Sequence, residues 1–374
     1  MKRLLAITDE YPPIRGGIAN YLDGVLEALC TYASVELLVP GDLATRVVAP
    51  FPVHAGTFTH RFLRPRWLAL VVQIVRIITE RSVDAVLVSH VLPYGTAAWL
   101  ATRITRTPYI VCVHGLDLAM VEAQPHKKTL AQRVLRGAAL IVANSEYTLA
   151  RAMVLAPGVS GVVVHPCPAV DPVAPLSGAD VSAPAAASAQ RFVLAVGRMV
   201  PRKGFRTLLR ATKEALVEEP ELRVVMVGDG SERAEVLDDR KHLGLENAVE
   251  VRSATDDELR TLYAQCAFFV LPTQSSDFDP EGFGTVFLEA NGFGKAVIAG
   301  DGGGVGEAVL NEKTGLLVDG RDPNDVAKAM VRLWRDPAEA ARLGETGRRR
   351  VQEKFRYIHA IQPFVDAWNA LWRA

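Results

Sequence analysis

Apolar residues recur in short runs of four or five along most of the chain, and segments with helical spacing separate them. The runs at residues 4–8, 35–39, 85–89, 109–113 and 140–143 predict five strands in the first half. After residue 190 they resume at 192–196, 223–227, 249–251, 268–271, 296–298 and 315–318. Between them, residues 19–29, 67–79, 205–218, 231–243 and 256–265 place apolar positions three and four apart, as a helix with one buried face requires. Strands alternating with helices predict parallel sheets covered on both faces, an α/β architecture.

Residues 172–190 break the pattern. They hold small residues and three prolines with little periodicity, which reads as a linker. The chain is therefore expected to form an N-terminal domain, 1–171, and a C-terminal domain, 191–356. A final helical segment, 357–374, is expected to pack back on the first. Within it, Trp368 and Trp372 are four apart and read as packing residues. Each half has the size of one doubly wound, Rossmann-like domain, and two such domains facing each other would leave a cleft for substrate.

The 374 residues suffice for two cores, and the 42 basic and 42 acidic residues balance. A nucleic-acid binder would show a basic excess, so none is expected as a partner. The balance hides an asymmetry: residues 1–160 carry 16 Lys/Arg against 11 Asp/Glu, and the remainder 26 against 31. Chance and solvated faces account for this as readily as an anionic partner for the N-terminal half. The four cysteines lie far apart with no CxxC pair, which excludes the usual zinc spacings and fits a reducing cytoplasm. The opening apolar run, 4–7, is too short for a signal peptide, and no run is long enough to span a bilayer.

Candidate chemistry collects at predicted strand ends. Gly197-Arg198-Met199-Val200-Pro201-Arg202-Lys203-Gly204 joins a strand to a helix. Such a junction offers unpaired backbone N–H groups and a positive dipole end, and its cations suit an anion such as phosphate. Glu281-Gly282-Phe283-Gly284-Thr285-Val286-Phe287-Leu288-Glu289 places two carboxylates eight apart around a glycine-rich helix start. Carboxylates accept from the hydroxyls of a polyol, although one of them could simply complement a helix dipole. Gly300-Asp301-Gly302-Gly303-Gly304-Val305-Gly306-Glu307 and Gly228-Asp229-Gly230 are further strand-end turns. In the first half, Arg15-Gly16-Gly17 opens a helix, and His114-Gly115-Leu116-Asp117 and His90 follow strands. Asn144-Ser145-Glu146 reads as a helix N-cap. A Walker A loop, GxGxxG in the first βα unit, a GxSxG elbow and an HExxH helix are all absent from the sequence.

Taken in order, Pro12-Pro13 with Gly16-Gly17, His114-Gly115, Asn144-Ser145, Gly197-Arg198 with Lys203-Gly204, the Glu281–Glu289 element and the loop ending in Glu307 resemble the retaining GT-B glycosyltransferases that carry a Glu-x7-Glu motif. Arg15-Gly16-Gly17-Ile18, Val200-Pro201-Arg202-Lys203-Gly204 and the acidic loop before Glu281 resemble most the phosphatidylinositol mannosyltransferase-like branch. The pattern is broken where Ala169 precedes Val170-Asp171 and at Ser253, positions at which the family has glycine; both bear on local backbone shape.

The resemblance implies a hexose donor joined to a nucleoside diphosphate, GDP or UDP, with no separate cofactor and no metal. It implies that Arg198 and Lys203 hold the diphosphate with Gly16, Gly17, Gly197 and Gly230 contributing backbone, and that Glu289 binds the ribose. It implies that Glu281, with the backbone of Phe283 and Gly284, binds the donor sugar, and that His114 sits at the reacting centre. His114, Arg198, Lys203 and Glu281 are thus the candidate catalytic residues. The expected acceptor is a glycan or lipid-linked sugar, in glycolipid or cell-surface polysaccharide synthesis. Arg61, Arg64, Arg66 and Trp67 lead into an apolar helix, and they suit an anionic membrane surface as well as they suit a buried first-sheet helix. The expected place is the cytoplasm, with the inner face of the plasma membrane as the site of any peripheral contact. A nucleotide-sugar epimerase on the same scaffold and a non-catalytic sugar-nucleotide-binding protein are the alternatives.

Overall fold

A computed structural model of the chain describes residues 1–14, 16–170 and 191–373. Arg15 and the expected linker, 172–190, lie outside the described residues. The chain divides into two compact units, Met1–Cys167 with Tyr357–Ala374, and Pro168–Arg356.

Among the described residues the first unit holds seven strands: β1 Arg3–Ile7, β2 Ser34–Pro40, β3 Val53–Gly56, β4 Ala85–Val88, β5 Tyr109–Val113, β6 Leu140–Ala143 and β7 Gly161–Val163. They pair in the order β3-β2-β1-β4-β5-β6-β7, every pair parallel. The middle strands are buried along their whole length because helices cover both faces. One face packs Leu5, Ile7, Val86, Val88 and Val111 under the helices Leu68–Arg81 and Tyr94–Thr105. The other packs Leu4, Ala6, Leu37 and Ile110 with Tyr21, Leu22 and Trp368.

The second unit holds β8 Val193–Val196, β9 Val224–Val227, β10 Val249–Arg252, β11 Phe269–Leu271, β12 Val297–Gly300 and β13 Gly315–Val318. Their order is β10-β9-β8-β11-β12-β13, again all parallel. Both sheets are therefore doubly wound, as the strand–helix alternation predicts. Each reverses direction of winding once, between β1 and β4 and between β8 and β11. The carboxyl ends of strands at such a reversal are where open α/β sheets take ligands.

Two strands escape the sequence pattern, β3 and β7. Both are edge strands of three or four residues and only partly buried, so neither needs a continuous apolar run. The terminal segment also differs from one helix. It forms short helices Tyr357–Ala360 and Gln362–Ala370, and Pro363 in the first turn of the second cannot donate to a preceding turn. Trp368 is 2% exposed and meets Trp372 edge-on, with ring centroids 5.3 Å apart.

Candidate active site

In the second unit the chain leaves β8 through Gly197 and Arg198 and makes a tight turn of helix, Pro201–Lys203. Gly204 follows in the left-handed region at φ 69°, where its missing Cβ would fall on the Pro272 carbonyl oxygen. That close approach brings the turn against the segment leaving β11. The same contact is fastened by Gln274, whose N–H donates to the Arg202 carbonyl at 2.7 Å. Gln274 Nε2 also donates to Thr207 Oγ1 at 2.7 Å and to the Gly320 carbonyl at 3.0 Å.

The two strand ends flank the sheet's reversal point, and their charged side chains meet there. Lys203 Nζ donates to Glu281 Oε2 at 2.7 Å, and Arg202 Nε donates to the same oxygen at 3.2 Å. Arg202 Nη1 reaches Asp279 Oδ1 at 2.7 Å. Lys203 and Glu281 are 9% and 7% exposed, so this is a buried ion cluster. Burial pushes the Glu281 carboxyl up, but Lys203 and Arg202 outweigh it and hold it below the usual carboxylate range. Both of these bonds to Glu281 fall on the one oxygen, Oε2.

The backbone at Glu281 is fixed from both sides. Its N–H donates to Ser275 Oγ at 2.8 Å, and its carbonyl accepts from Gly304 N at 2.9 Å. The glycine-rich loop after β12 thus cradles the Glu281 segment. Gly303, at φ 60°, lies so close that a Cβ would strike the Glu281 carbonyl oxygen.

Gly284, at φ 93°, caps the helix Thr285–Gly292, and Phe283 beside it is buried against Phe355. Glu289 is inside this helix and 7% exposed. It accepts from Tyr263 Oη at 2.8 Å, and Tyr263 is stacked between Phe269 and Phe293. Burial raises the Glu289 carboxyl above its ordinary value; bonds from Tyr263 and the Ala169 backbone and the charge of Lys203 only partly offset this. Arg198 is exposed and makes no ion pair among the described residues, so its charge is free. Gly230 ends the turn after β9, stacked on the Met199 backbone.

In the first unit Gly16 is the N-cap of the helix Gly17–Leu29 and carries no side chain to cover its N–H groups. His114 follows β5, its N–H donating to Asp117 Oδ1 at 3.0 Å and its carbonyl accepting from Asn144 Nδ2 at 3.3 Å. Its ring meets Tyr21 edge-on at 5.4 Å and lies 5.7 Å from His90. Burial, then the neighbouring His90, lowers His114 to about 3, against a hydrogen bond with the Ser89 backbone that opposes them. The imidazole is therefore neutral, and its Nε2 is buried without a partner among the described residues. His90 sits among Ser89 Oγ at 2.8 Å, Asp9 Oδ1 at 4.0 Å and Glu10 Oε1 at 3.8 Å. Ser145 caps the helix Glu146–Leu155 by accepting from Thr148 N.

The structure thus joins Lys203 to Glu281 and leaves Arg198 exposed. It adds three residues that sequence reasoning did not assign. Arg202 stood in the basic turn, but nothing in a run of two cations says which one points inward. Asp279 belongs to the acidic loop and pairs with Arg202. Tyr263 occupies an ordinary apolar position of a predicted helix, and only its hydroxyl hinted at a polar partner.

Two doubly wound units, one carrying cations and carboxylates at its reversal point, are the architecture of a GT-B enzyme. The model of the glycosyl transferases group 1 family matches residues 180–350, and that of a glycosyl transferase 4-like domain matches residues 16–168. A GDP-mannose-dependent alpha-(1-6)-phosphatidylinositol monomannoside mannosyltransferase of Mycolicibacterium smegmatis is 30% identical over 365 residues, covering 92% of this chain and 92% of the relative. A GDP-mannose-dependent monoacylated alpha-(1-6)-phosphatidylinositol monomannoside mannosyltransferase of Corynebacterium glutamicum is 27% identical, covering 95% and 94%. Among solved structures, sucrose-phosphate synthase of Thermosynechococcus elongatus shares the fold at a TM-score of 0.79 and 21% identity, with both chains covered completely. Anabaena HepE in complex with UDP and glucose does so at 0.78 and 19%, covering 99% of this chain and 100% of the other. The chain belongs to the group 1 glycosyltransferase family.

Proposed function

We propose that the protein is a retaining hexosyltransferase that moves mannose from GDP-mannose to a hydroxyl of a phosphatidylinositol-type glycolipid. The observation that carries the donor site is the buried contact of Lys203 with Glu281 at the reversal point of the second sheet. A cation for a diphosphate and a carboxylate for sugar hydroxyls stand side by side there, with Glu289 available to a ribose. The choice of GDP-mannose and of the lipid acceptor rests on the names of the two mannosyltransferase relatives.

In this reading the bond between the sugar C1 and the diphosphate oxygen breaks while the acceptor oxygen bonds to C1 on the same face. The acceptor's proton passes to the departing diphosphate oxygen. Arg198 and Lys203 stabilise the charge that develops on the leaving group, which is where such a site contributes most. Glu281 and Glu289 orient hydroxyls.

Membrane contact has its support in the segment before the helix Leu68–Arg81. The helix buries Leu70, Val71, Ile74 and Ile78 in the core, whereas Arg61, Phe62, Arg64 and Arg66 are exposed. Arg61 lies over the Phe62 ring at 4.6 Å, a cationic and aromatic face suited to anionic head groups. No helix among the described residues is long and apolar enough to cross a membrane. Failure to co-sediment with anionic vesicles would remove this part.

The donor reading is tested by thermal stability against UDP-, GDP-, ADP- and dTDP-sugars. Ligand at 100 times its dissociation constant stabilises by about 2.7 kcal/mol, enough to register as a shift. GDP-mannose standing out is expected, with a smaller shift in Arg198→Ala; no response to any nucleotide sugar would overturn the reading.

A further inference from the structure

Glu281 presents one oxygen, Oε2, to two cations at once. Under the proposed donor chemistry Lys203 has two competing anions: this carboxylate and the incoming diphosphate. If Lys203 were the carboxylate's only counter-charge, its departure would leave a buried anion unpaired, and the ion pair would resist the donor.

Arg202 removes that conflict. Its guanidinium is nearly as buried as Lys203, with side-chain exposures of 12% and 11%. Its guanidinium is engaged by Asp279 at 2.7 Å, and the Gln274 N–H donates to its backbone carbonyl. The fork of a guanidinium can bridge two carboxylates in fixed geometry, which an ammonium cannot. Asp279 in turn is set by Ser276, whose Oγ accepts from its N–H at 3.1 Å.

We propose, resting on that donor reading, that Arg202 is a positioning residue that keeps Glu281 charged and in place while Lys203 transfers from the carboxylate to the donor diphosphate. Arg202 itself touches neither sugar nor phosphate. It sets the cost of releasing Lys203, and so the affinity for the diphosphate.

The test is calorimetric titration of UDP, GDP, ADP and dTDP, without any sugar, into the wild-type protein, Arg202→Gln, Glu281→Gln and the double variant. Arg202→Gln leaves Lys203 captive on Glu281, and nucleoside diphosphate binding falls about tenfold or more, the size of one charge-assisted bond. Glu281→Gln frees Lys203 and binds at least as tightly as the wild type. In the double variant the second substitution restores the affinity lost through the first, because the competing anion is gone. Arg202→Lys, which keeps the charge and loses the fork, falls between wild type and Arg202→Gln. A loss through mere unfolding of the loop would not be rescued by a second substitution in it. Unchanged binding by Arg202→Gln, or a double variant as weak as the single, overturns the role of Arg202 and leaves the donor site standing. A wild-type protein that binds no nucleoside diphosphate overturns the donor reading and this inference together.

Discussion

Lys203 Nζ lies 2.7 Å from Glu281 Oε2 although 78 residues separate them in the chain. The pair forms because β8 and β11 are neighbours at the point where the sheet reverses its winding. Glu281→Gln keeps the shape of this side chain and removes its charge. If Glu281 holds sugar hydroxyls as proposed, turnover of the nucleotide sugar is expected to fall on the order of tenfold to a hundredfold, the size of lost charged hydrogen bonds. Steady-state kinetics indistinguishable from the wild type would remove Glu281 from the site.

Arg198 is exposed and unpaired in ions among the described residues, and it is expected to act on the leaving diphosphate. Interactions that strengthen in the transition state affect turnover more than ground-state binding. Arg198→Ala should therefore lower kcat by a larger factor than it raises the donor dissociation constant. Equal losses, measured by kinetics and by titration, would assign Arg198 to binding alone.

Tyr263 Oη donates to the buried Glu289 carboxyl, and Tyr263→Phe leaves that group one donor short. Such a loss costs about 1–3 kcal/mol. Chemical denaturation should show it as a lower midpoint at unchanged slope. No change would mean that Glu289 recovers a partner by moving.

His114 is held down to about 3 from its ordinary 6.5, burial being the largest cause. The unfolded chain takes the proton first, so the stability that neutral His114 supports is complete above about pH 6.5 and is lost as pH falls toward about 3. In His114→Gln this dependence is absent. Unfolding free energies of the two proteins should diverge across that window, with carboxylates common to both cancelling in the difference. Parallel curves would place His114 in a solvated setting.

A Cβ added to Gly303, at φ 60°, would strike the Glu281 carbonyl and come within 2.7 Å of Ser275 Oγ. Gly303→Ala costs about 1–2 kcal/mol in left-handed backbone alone, and the Glu281 segment has to shift. Lower thermal stability and a weakened response to nucleotide sugar are expected together. A stable variant that keeps its donor response would show that the loop has slack.

Much of this molecule is set by local pattern. The runs at 109–113 and 140–143 coincide with β5 and β6, and the helix at 256–265 begins at a Thr255–Glu258 capping box. Glycines next to strand ends marked the turns that now surround Glu281. The short edges β3 and β7 were illegible because a strand exposed on one side carries no unbroken apolar signature.

The site divides in the same way. Sequence alone determined the α/β class, the parallel sheets and the candidates Arg198, Lys203, Glu281, Glu289 and His114, because periodicity, turn chemistry and motif spacing are properties of neighbouring residues. Only tertiary structure decided that Lys203 and Arg202 turn inward onto Glu281 while Arg198 stays in solvent, and that Tyr263 serves Glu289. It also decided the direction in which burial and neighbouring charge move these groups, Glu281 down, Glu289 up and His114 down to about 3. Pairing across 77–79 residues and withdrawal from water arise when distant strand ends are brought side by side, and no local stretch of chain encodes either.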